Sequence, residues 1–364
     1  MSTEAESEPK ATDLAAVWGL PLMAVHCPSC DQVHLVPEEA APQPCPFCRQ
    51  GPVAPQPAYL RDEPPEQVVP YRITEGQLES LFEKWARGLW FRPPEMEPRL
   101  LAHRTRRYLI PLWLVDGQVE ASWRADVGFN YQVVSSQDSY SERSGWSSQQ
   151  VTETRVRWEP RLGYLKRTYN NLPAPALEDH RQLMARLGAY DLGVRSAYQP
   201  EAVQGAAVRI PTLDPQAAWP GAEVAFVRAA EDECRQAAGA DHIRDFAMEA
   251  QYHDLNWTQL LLPAYVTWYR EGGRIWPLLI NGQSGKVSGV RRVSVQKASN
   301  AAIVMGLVAL LILCIGGLLA LLGIALPPAG VVGALVMAAG GLLALAAPIP
   351  PIWAWMANRR SEGT

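Results

Sequence analysis

The chain has 364 residues, 48% hydrophobic and 19% charged, with a formal net charge of −4 at pH 7. That length allows one or two soluble domains plus further segments, and the charge excludes a global basic field that would attract nucleic acid. Six cysteines, four of them in two CxxC pairs, exclude a disulfide-stapled scaffold and fit a reducing compartment.

Residues 1–20 are polar and acidic and are expected to be a disordered tail. Residues 21–51 hold Cys27-Pro-Ser-Cys30 and Cys45-Pro-Phe-Cys48, with 14 residues between the pairs. This is the two-knuckle pattern of a zinc ribbon. Each CxxC offers two thiolates to one face of a tetrahedral Zn²⁺, and soft sulfur favours zinc over hard cations. Four cysteines leave no open position, so the metal is expected to be structural, and so small a module folds only around it. A redox pair would need a thioredoxin-like surround, which is not visible; an iron–sulfur cluster is the other alternative. His26 and His34 lie nearby and are read as surface or supporting groups, since the sulfurs already complete the shell. Over residues 1–70, three basic side chains (Lys10, Arg49, Arg61) face ten acidic ones. Such a segment repels a phosphate backbone, so the ribbon reads as a protein-contact knob and nucleic acid is disfavoured as a partner.

Residues 52–70 are proline-rich (Pro52, Pro55, Pro57, Pro64, Pro65, Pro70) and read as a stiff linker. An α+β domain is expected over 71–296. It opens with a capping box at Thr74 and Gln77, an Ile73–Leu78 staple, and a helical face of Leu78, Leu81, Phe82, Trp85 and Leu89. Pro93-Pro94 ends that helix. A buried strand at 109–115 runs to a hairpin signal, Asp116-Gly117. Strict alternation over 123–133 predicts a half-buried antiparallel strand. The serine-rich stretch 135–148 reads as a long flexible loop, and 152–158 as the returning strand. Helices are expected at 176–187, stopped by Gly188, at 222–236, and at 241–252 with Asp241 as N-cap and Ile243, Phe246, Ala247 and Ala250 inward. Strands at 261–266 and 275–280 follow, with turns at Glu271-Gly272-Gly273 and Asn281-Gly282. Leu109-Ile110-Pro111-Leu112-Trp113-Leu114 parallels Leu261-Leu262-Pro263-Ala264-Tyr265-Val266, which suggests a divergent internal duplication of a helix-plus-sheet unit.

Six histidines are scattered without a metal-binding spacing. His242 and His253, with Glu249 or Asp245, read as a solvated face. Asn281-Gly-Gln-Ser-Gly-Lys286 lacks the phosphate-loop frame and reads as a turn with Gly282 and Gly285 at positive φ. With no nucleophile elbow either, the chain is expected not to be an enzyme. Arg104, Arg106 and Arg107 form a basic cluster, read as a strand edge or a partner site.

Between Lys297 and Arg359 there is no charged side chain. Residues 297–358 are expected to form two transmembrane helices, at about 301–326 and 330–350, since roughly 20 apolar residues span a bilayer. Pro327-Pro328 separates them, and Trp353 and Trp355 sit at the second exit. Arg291, Arg292 and Lys297 precede the hairpin and Arg359 and Arg360 follow it. The positive-inside rule therefore predicts that the body and the 359–364 tail are cytoplasmic, with the basic flanks near anionic headgroups. Gly316, Gly317, Gly323, Gly333, Gly340 and Gly341 allow close helix contact, within the hairpin or in a homo-oligomer.

These blocks resemble a bacterial family of membrane proteins with an N-terminal TFIIB-type zinc ribbon. The matching pieces are the two CxxC knuckles, Pro70-Tyr-Arg-Ile-Thr, Trp90-Phe-Arg-Pro-Pro, the two apolar strand blocks, and Leu279-Ile-Asn-Gly-Gln-Ser-Gly-Lys-Val-Ser-Gly, which is similar to the family's NGQTGKVxG stretch with Ser284 for Thr. The resemblance implies a membrane anchor working beside band-7/SPFH and phage-shock-type proteins. No helicase motif supports the primosomal-helicase-like label that some members carry. The expectation is an α+β protein: zinc ribbon, cytosolic antiparallel-sheet domain, transmembrane hairpin. Its expected role is a non-enzymatic adaptor on the lipid bilayer; the alternatives are a membrane-tethered nucleic-acid-binding or regulatory protein and, last, a transporter component.

Overall fold

The computed structural model describes residues 11–40, 44–61, 63–141, 145–322, 324 and 326–362; the first ten residues of the expected tail lie outside these, as do the last two of the chain. The N-terminal part comprises α1 (Leu14–Trp18), β1 (Leu22–Cys27), β2 (Gln32–Pro37), β3 (Ala54–Pro55) and β4 (Gln67–Val68). The middle comprises α2 (Glu75–Ala86), α3 (Pro98–Arg104), β5 (Arg106–Ser141), β6 (Gly145–Pro175), α4 (His180–Leu187), β7 (Ser196–Ala197) and α5 (Pro200–Val203). It continues through β8 (Ala207–Arg209), α6 (Pro215–Ala238), β9 (His242–Glu271), β10 (Arg274–Asn281) and β11 (Val287–Ser288). Helices α7 (Val295–Leu322), α8 (Pro327–Ala346) and α9 (Ile349–Glu362) follow. The class is mixed α+β, with one sheet in the order β11-β10-β9-β5-β8-β2-β1-β3 and with β6, β4 and β7 attached beside that path.

Strand length departs most from expectation. Asp116-Gly117 is a bulge inside β5, not a hairpin turn: the register against β6 shifts between Val115 and Gly117 and then continues unbroken to Ser141↔Gly145. The missing Cβ explains the residue choice, because one on Gly117 would lie 2.7 Å from Leu255 and 3.0 Å from Phe226. The serine-rich stretch is the paired end of this hairpin rather than a long loop; only 142–144 fall outside the described residues. At ~3.3 Å per residue β5 is about 120 Å long. Beyond Gly128, where β9 ends its pairing, β5 and β6 run on as a two-stranded arm.

Residues 241–252 are not a helix. From His242 onward β9 pairs with β5 (His242↔Gly128 through Val266↔Arg106), and Asp241 Oδ2 accepts from Asn130 N–H at 2.7 Å. Met248, Ala250 and Tyr252 point to the α6 side, a period of two. The segment carries apolar residues at both periods, and a full ladder of cross-strand bonds outweighs weak local helix propensity. Helix α6 begins earlier than expected, with Pro215 in its first turn and Asp214 accepting from Ala217 N–H at 2.7 Å. Ala218, Ala222, Phe226, Ala230 and Cys234 form its buried stripe, four residues apart, over Trp113, Val119 and Ala121.

The remaining layers match the pattern read from sequence. Helix α2 carries the capping box, with Gln77 Oε1 accepting from Thr74 N–H at 2.9 Å, and packs Leu78 and Phe82 on Tyr265, Tyr269 and Ile280. Helix α4 buries Leu183 and Leu187 against Ile110, Leu112 and Leu262. The two similar apolar blocks are direct neighbours, paired antiparallel through Ile110↔Leu262 and Pro111↔Leu261. Residues of the expected linker lie along the body: Val69 is buried, and β4 pairs with both β9 and β7. Helix α1 occupies part of the expected tail, because Leu14 and Trp18 have an apolar cluster to enter beside Leu35 and Val208.

Two helices are long and apolar enough to cross a membrane: Val295–Leu322, and Pro327–Arg360 taken through the break before α9. Their large apolar side chains are exposed along most of their length. Pro348, Pro350 and Pro351 account for the break, since each lacks a backbone donor. Asn358 closes the hairpin onto the body, accepting from Val293 N–H at 2.8 Å and donating to Val293 O at 2.9 Å. Ser294 N–H donates to Phe91 O at 2.9 Å, and Trp353 packs on Trp90 and Phe91 with ring centroids 6.2 and 6.5 Å apart.

Candidate metal centre

The β1–β2 hairpin places Cys27 at the end of β1 and Cys30 in its turn; a second turn carries Cys45 and Cys48, and β3 returns to pair with β1. The sulfurs of all four lie within 4.8 Å of one another. Cys27 Sγ is 3.6 Å from Cys48 Sγ, and Cys30 Sγ is 3.7 Å from Cys45 Sγ. A tetrahedron with metal–sulfur bonds of ~2.3 Å has edges of about 3.8 Å, so this donor set fits a metal ion held by four thiolates. Peptide N–H groups of Phe47 and Cys48 both point at Cys45 Sγ from 3.4 Å, which favours a thiolate there. Cys27, Cys45 and Cys48 are buried and Cys30 is half-buried.

Without metal the thiols resist ionising together. Burial pushes Cys30 up strongly and Cys45 up to about 11. Burial would also raise Cys27, but the amides of Cys30 and Ser29 outweigh it and the thiol falls to about 7. A divalent ion supplies the positive charge that lets all four ionise.

His34 is the site residue that sequence reasoning undervalued. It is fully buried, with Nε2 3.7 Å from Cys45 Sγ and Nδ1 3.3 Å from the Tyr108 hydroxyl. Burial, then the Arg209 guanidinium, lowers its pKa to about 3, so the ring is neutral. Arg209 lies opposite it in the β2–β8 ladder and pairs with Asp179 at 2.9 Å. Alternation along β2 was the available signal: His34 shares a face with Val36, which sits in the metal-site cluster. His26 instead pairs with the exposed Asp31 at 2.8 Å.

Strand β2 continues the main sheet through β8 and β5 (Leu35↔Val208, Leu109↔Val208). The metal turns are therefore built into the end of the large sheet.

His242 Nε2 meets Asn130 Oδ1 at 2.9 Å, on strands rather than a helix. The Asn281–Lys286 block is a structural staple. Asn281 Nδ2 donates to Leu187 O and Ala189 O at the end of α4, while its Oδ1 accepts from Gln283 and Ser284 N–H. Gly285 has φ +74° as expected, whereas Gly282 needs space instead: a Cβ there would lie 2.9 Å from the Pro263 carbonyl. No protein-family model, curated protein or solved structure matches the chain.

Proposed function

We propose that the chain is a membrane-anchored, non-enzymatic zinc-ribbon adaptor that recruits a cytosolic or peripheral protein to the bilayer. The observation that carries this reading is the hydrogen-bonded join between the body and an apolar hairpin, made by Asn358 and Phe91, in a chain with a cluster of four cysteines that could hold a metal ion. A closed site holds structure and offers no coordination position to a substrate. Zinc is the ion of choice because thiolate is soft and a tetrahedral set suits it. The basic residues Arg291, Arg292, Lys297, Arg359 and Arg360 cluster at one end of the hairpin, which supports a cytoplasmic body by the positive-inside rule. The family resemblance supports a bacterial cytoplasmic membrane and an SPFH/band-7 or phage-shock-type partner in envelope stress. Antiparallel pairing of the two apolar blocks is the relation that a duplicated unit would have about a two-fold axis.

The full-length protein should sediment with membranes, resist salt and alkaline extraction, and come off with detergent. A reporter ahead of Met1 should be shielded in intact cells. Crosslinking in membranes followed by quantitative comparison with cells lacking the chain should show one protein lost from the membrane fraction. A membrane proteome unchanged by loss of the chain rejects the adaptor reading.

A further inference from the structure

The arginine cluster at the start of β5 divides in the structure. Arg104 is neutralised by Glu95 at 2.9 Å. Arg106 and Arg107 instead open into a groove of about 410 Å³ where the metal-bearing turns meet the body. Arg49, from the second metal turn, lines its other wall, stacked on Trp268 at 3.7 Å. Pro44, Pro46 and Val53 are among its apolar lining.

None of the three guanidiniums has a carboxylate partner among the described residues. Arg106 donates to the carbonyls of His103 and Thr105 at 3.1 and 3.0 Å, Arg107 to those of Gln204 and Ala202 at 3.2 and 3.3 Å, and Arg49 to Pro44 O at 3.5 Å. Carbonyls orient a guanidinium without cancelling its charge. Arg107 is further fixed over the Tyr71 ring at 4.5 Å. Three held cations thus face one groove acid, Glu39, in a chain whose net charge is −4.

We propose that this groove binds an acidic peptide segment, with carboxylates taken by Arg106, Arg107 and Arg49 and intervening apolar residues on the proline–valine lining. The choice of a peptide rests on the adaptor reading; the anionic chemistry does not. A continuous phosphate backbone carries a charge at every step and would set some of them against Glu38 and Glu39 beside the groove, whereas a peptide can space its carboxylates. Separated carboxylates match separated guanidiniums, and arginine's planar fork accepts them two bonds at a time. The site also gives the metal a purpose beyond local folding, because the Cys45–Cys48 turn positions Arg49.

The test uses the full chain in neutral-lipid nanodiscs and a short fluorescein-labelled peptide of glutamate, leucine and proline. A lysine-for-glutamate peptide and labelled oligothymidylate are the comparison probes. The acidic peptide should raise the anisotropy, the lysine peptide should not, and Arg106→Glu should weaken binding by roughly tenfold or more with an unchanged melting curve. Among the described residues the Arg106 side chain bonds only to carbonyls near it in sequence, so its replacement spares the fold; Arg106→Gln, expected to lose less, serves if the reversal misfolds. No binding of the acidic peptide below about 1 mM, equal binding by the Arg106 variants, or tighter binding of oligothymidylate would each overturn the proposal. A membrane proteome that responds to loss of the chain but not to Arg106→Glu removes the groove and leaves the adaptor. Arg106-dependent peptide binding with an unresponsive proteome does the reverse.

Discussion

Four sulfurs, a neutral imidazole and a phenol make one buried unit, and each answers differently to substitution. If the cluster holds a metal ion, replacing Cys27 with serine should drop the bound metal from about one equivalent per chain to near zero, measured by metal analysis, because the three remaining thiols cannot complete a four-sulfur tetrahedron. His34→Ala should keep the metal but cost roughly 1–3 kcal/mol in urea unfolding, because it strips the buried Tyr108 hydroxyl of its partner. The imidazole also sets a pH dependence. Unfolded histidine takes a proton near pH 6.5, whereas His34 in the folded chain refuses one until about pH 3. The unfolded state therefore binds more protons in that window, and stability falls as pH drops below about 6.5, by up to ~1.4 kcal/mol per pH unit. Above that window the residue contributes no slope. His34→Gln should remove close to one proton's worth of slope from the stability profile measured between about pH 4 and 5.5 and change little above about pH 7; an unchanged slope in the lower range would refute the neutral imidazole. The cysteines were identifiable from spacing alone, while the histidine's role depended on Tyr108 and Arg209, which approach it only through β5 and β8.

Glycine usage separates the faces of the hairpin helices. A Cβ on Gly333 would sit 2.4 Å from Ala320 N and 2.8 Å from Gly316 O, whereas one on Gly341 meets nothing within 4 Å. Gly333→Val should push α7 and α8 apart, abolishing crosslinks between cysteines placed on their facing sides and lowering the melting temperature in detergent. Gly341→Val should leave both measurements unchanged. That contrast distinguishes glycines that pack within the hairpin from those on its exposed surface. On α6, where its buried stripe covers the sheet, Phe226→Ala should cost about 3–5 kcal/mol. Its ring fills the space over the Gly117 bulge and meets Trp219, Tyr169 and Tyr252, with centroids 6.0, 6.0 and 5.6 Å away. Helix α2 was legible because its apolar residues follow one period and its start carries a capping box; α4 was legible at its end, where Gly188 stops it, but it starts at His180 rather than 176 and has no side-chain cap there. Strand β9 was not legible, since its first half fits either period and only the neighbouring strand selects one.

At the scale of the molecule, the four-cysteine turns lie at one end of the sheet, and the apolar hairpin is tied to the body near Phe91 and Trp276. Asn358→Ala should loosen that coupling, accelerating hydrogen exchange at residues 291–298 while the zinc content stays constant; unchanged exchange would mean the join is held elsewhere. The ribbon and the body were expected to meet through a stiff linker, but β2 and β8 join them by backbone pairing. Chemistry that depends on residue type and short spacing was determined by the sequence itself: four soft ligands in two tight turns, an uncharged stretch from 298 to 358 long enough for two apolar helices, and the α+β class. The length of the β5–β6 arm, the strand identity of β9, the burial of His34 and the groove lined by Arg49, Arg106 and Arg107 were decided only in three dimensions. Backbone pairing and desolvation are properties of neighbours distant in sequence, and local propensity of a few tenths of a kcal/mol per residue does not resist them.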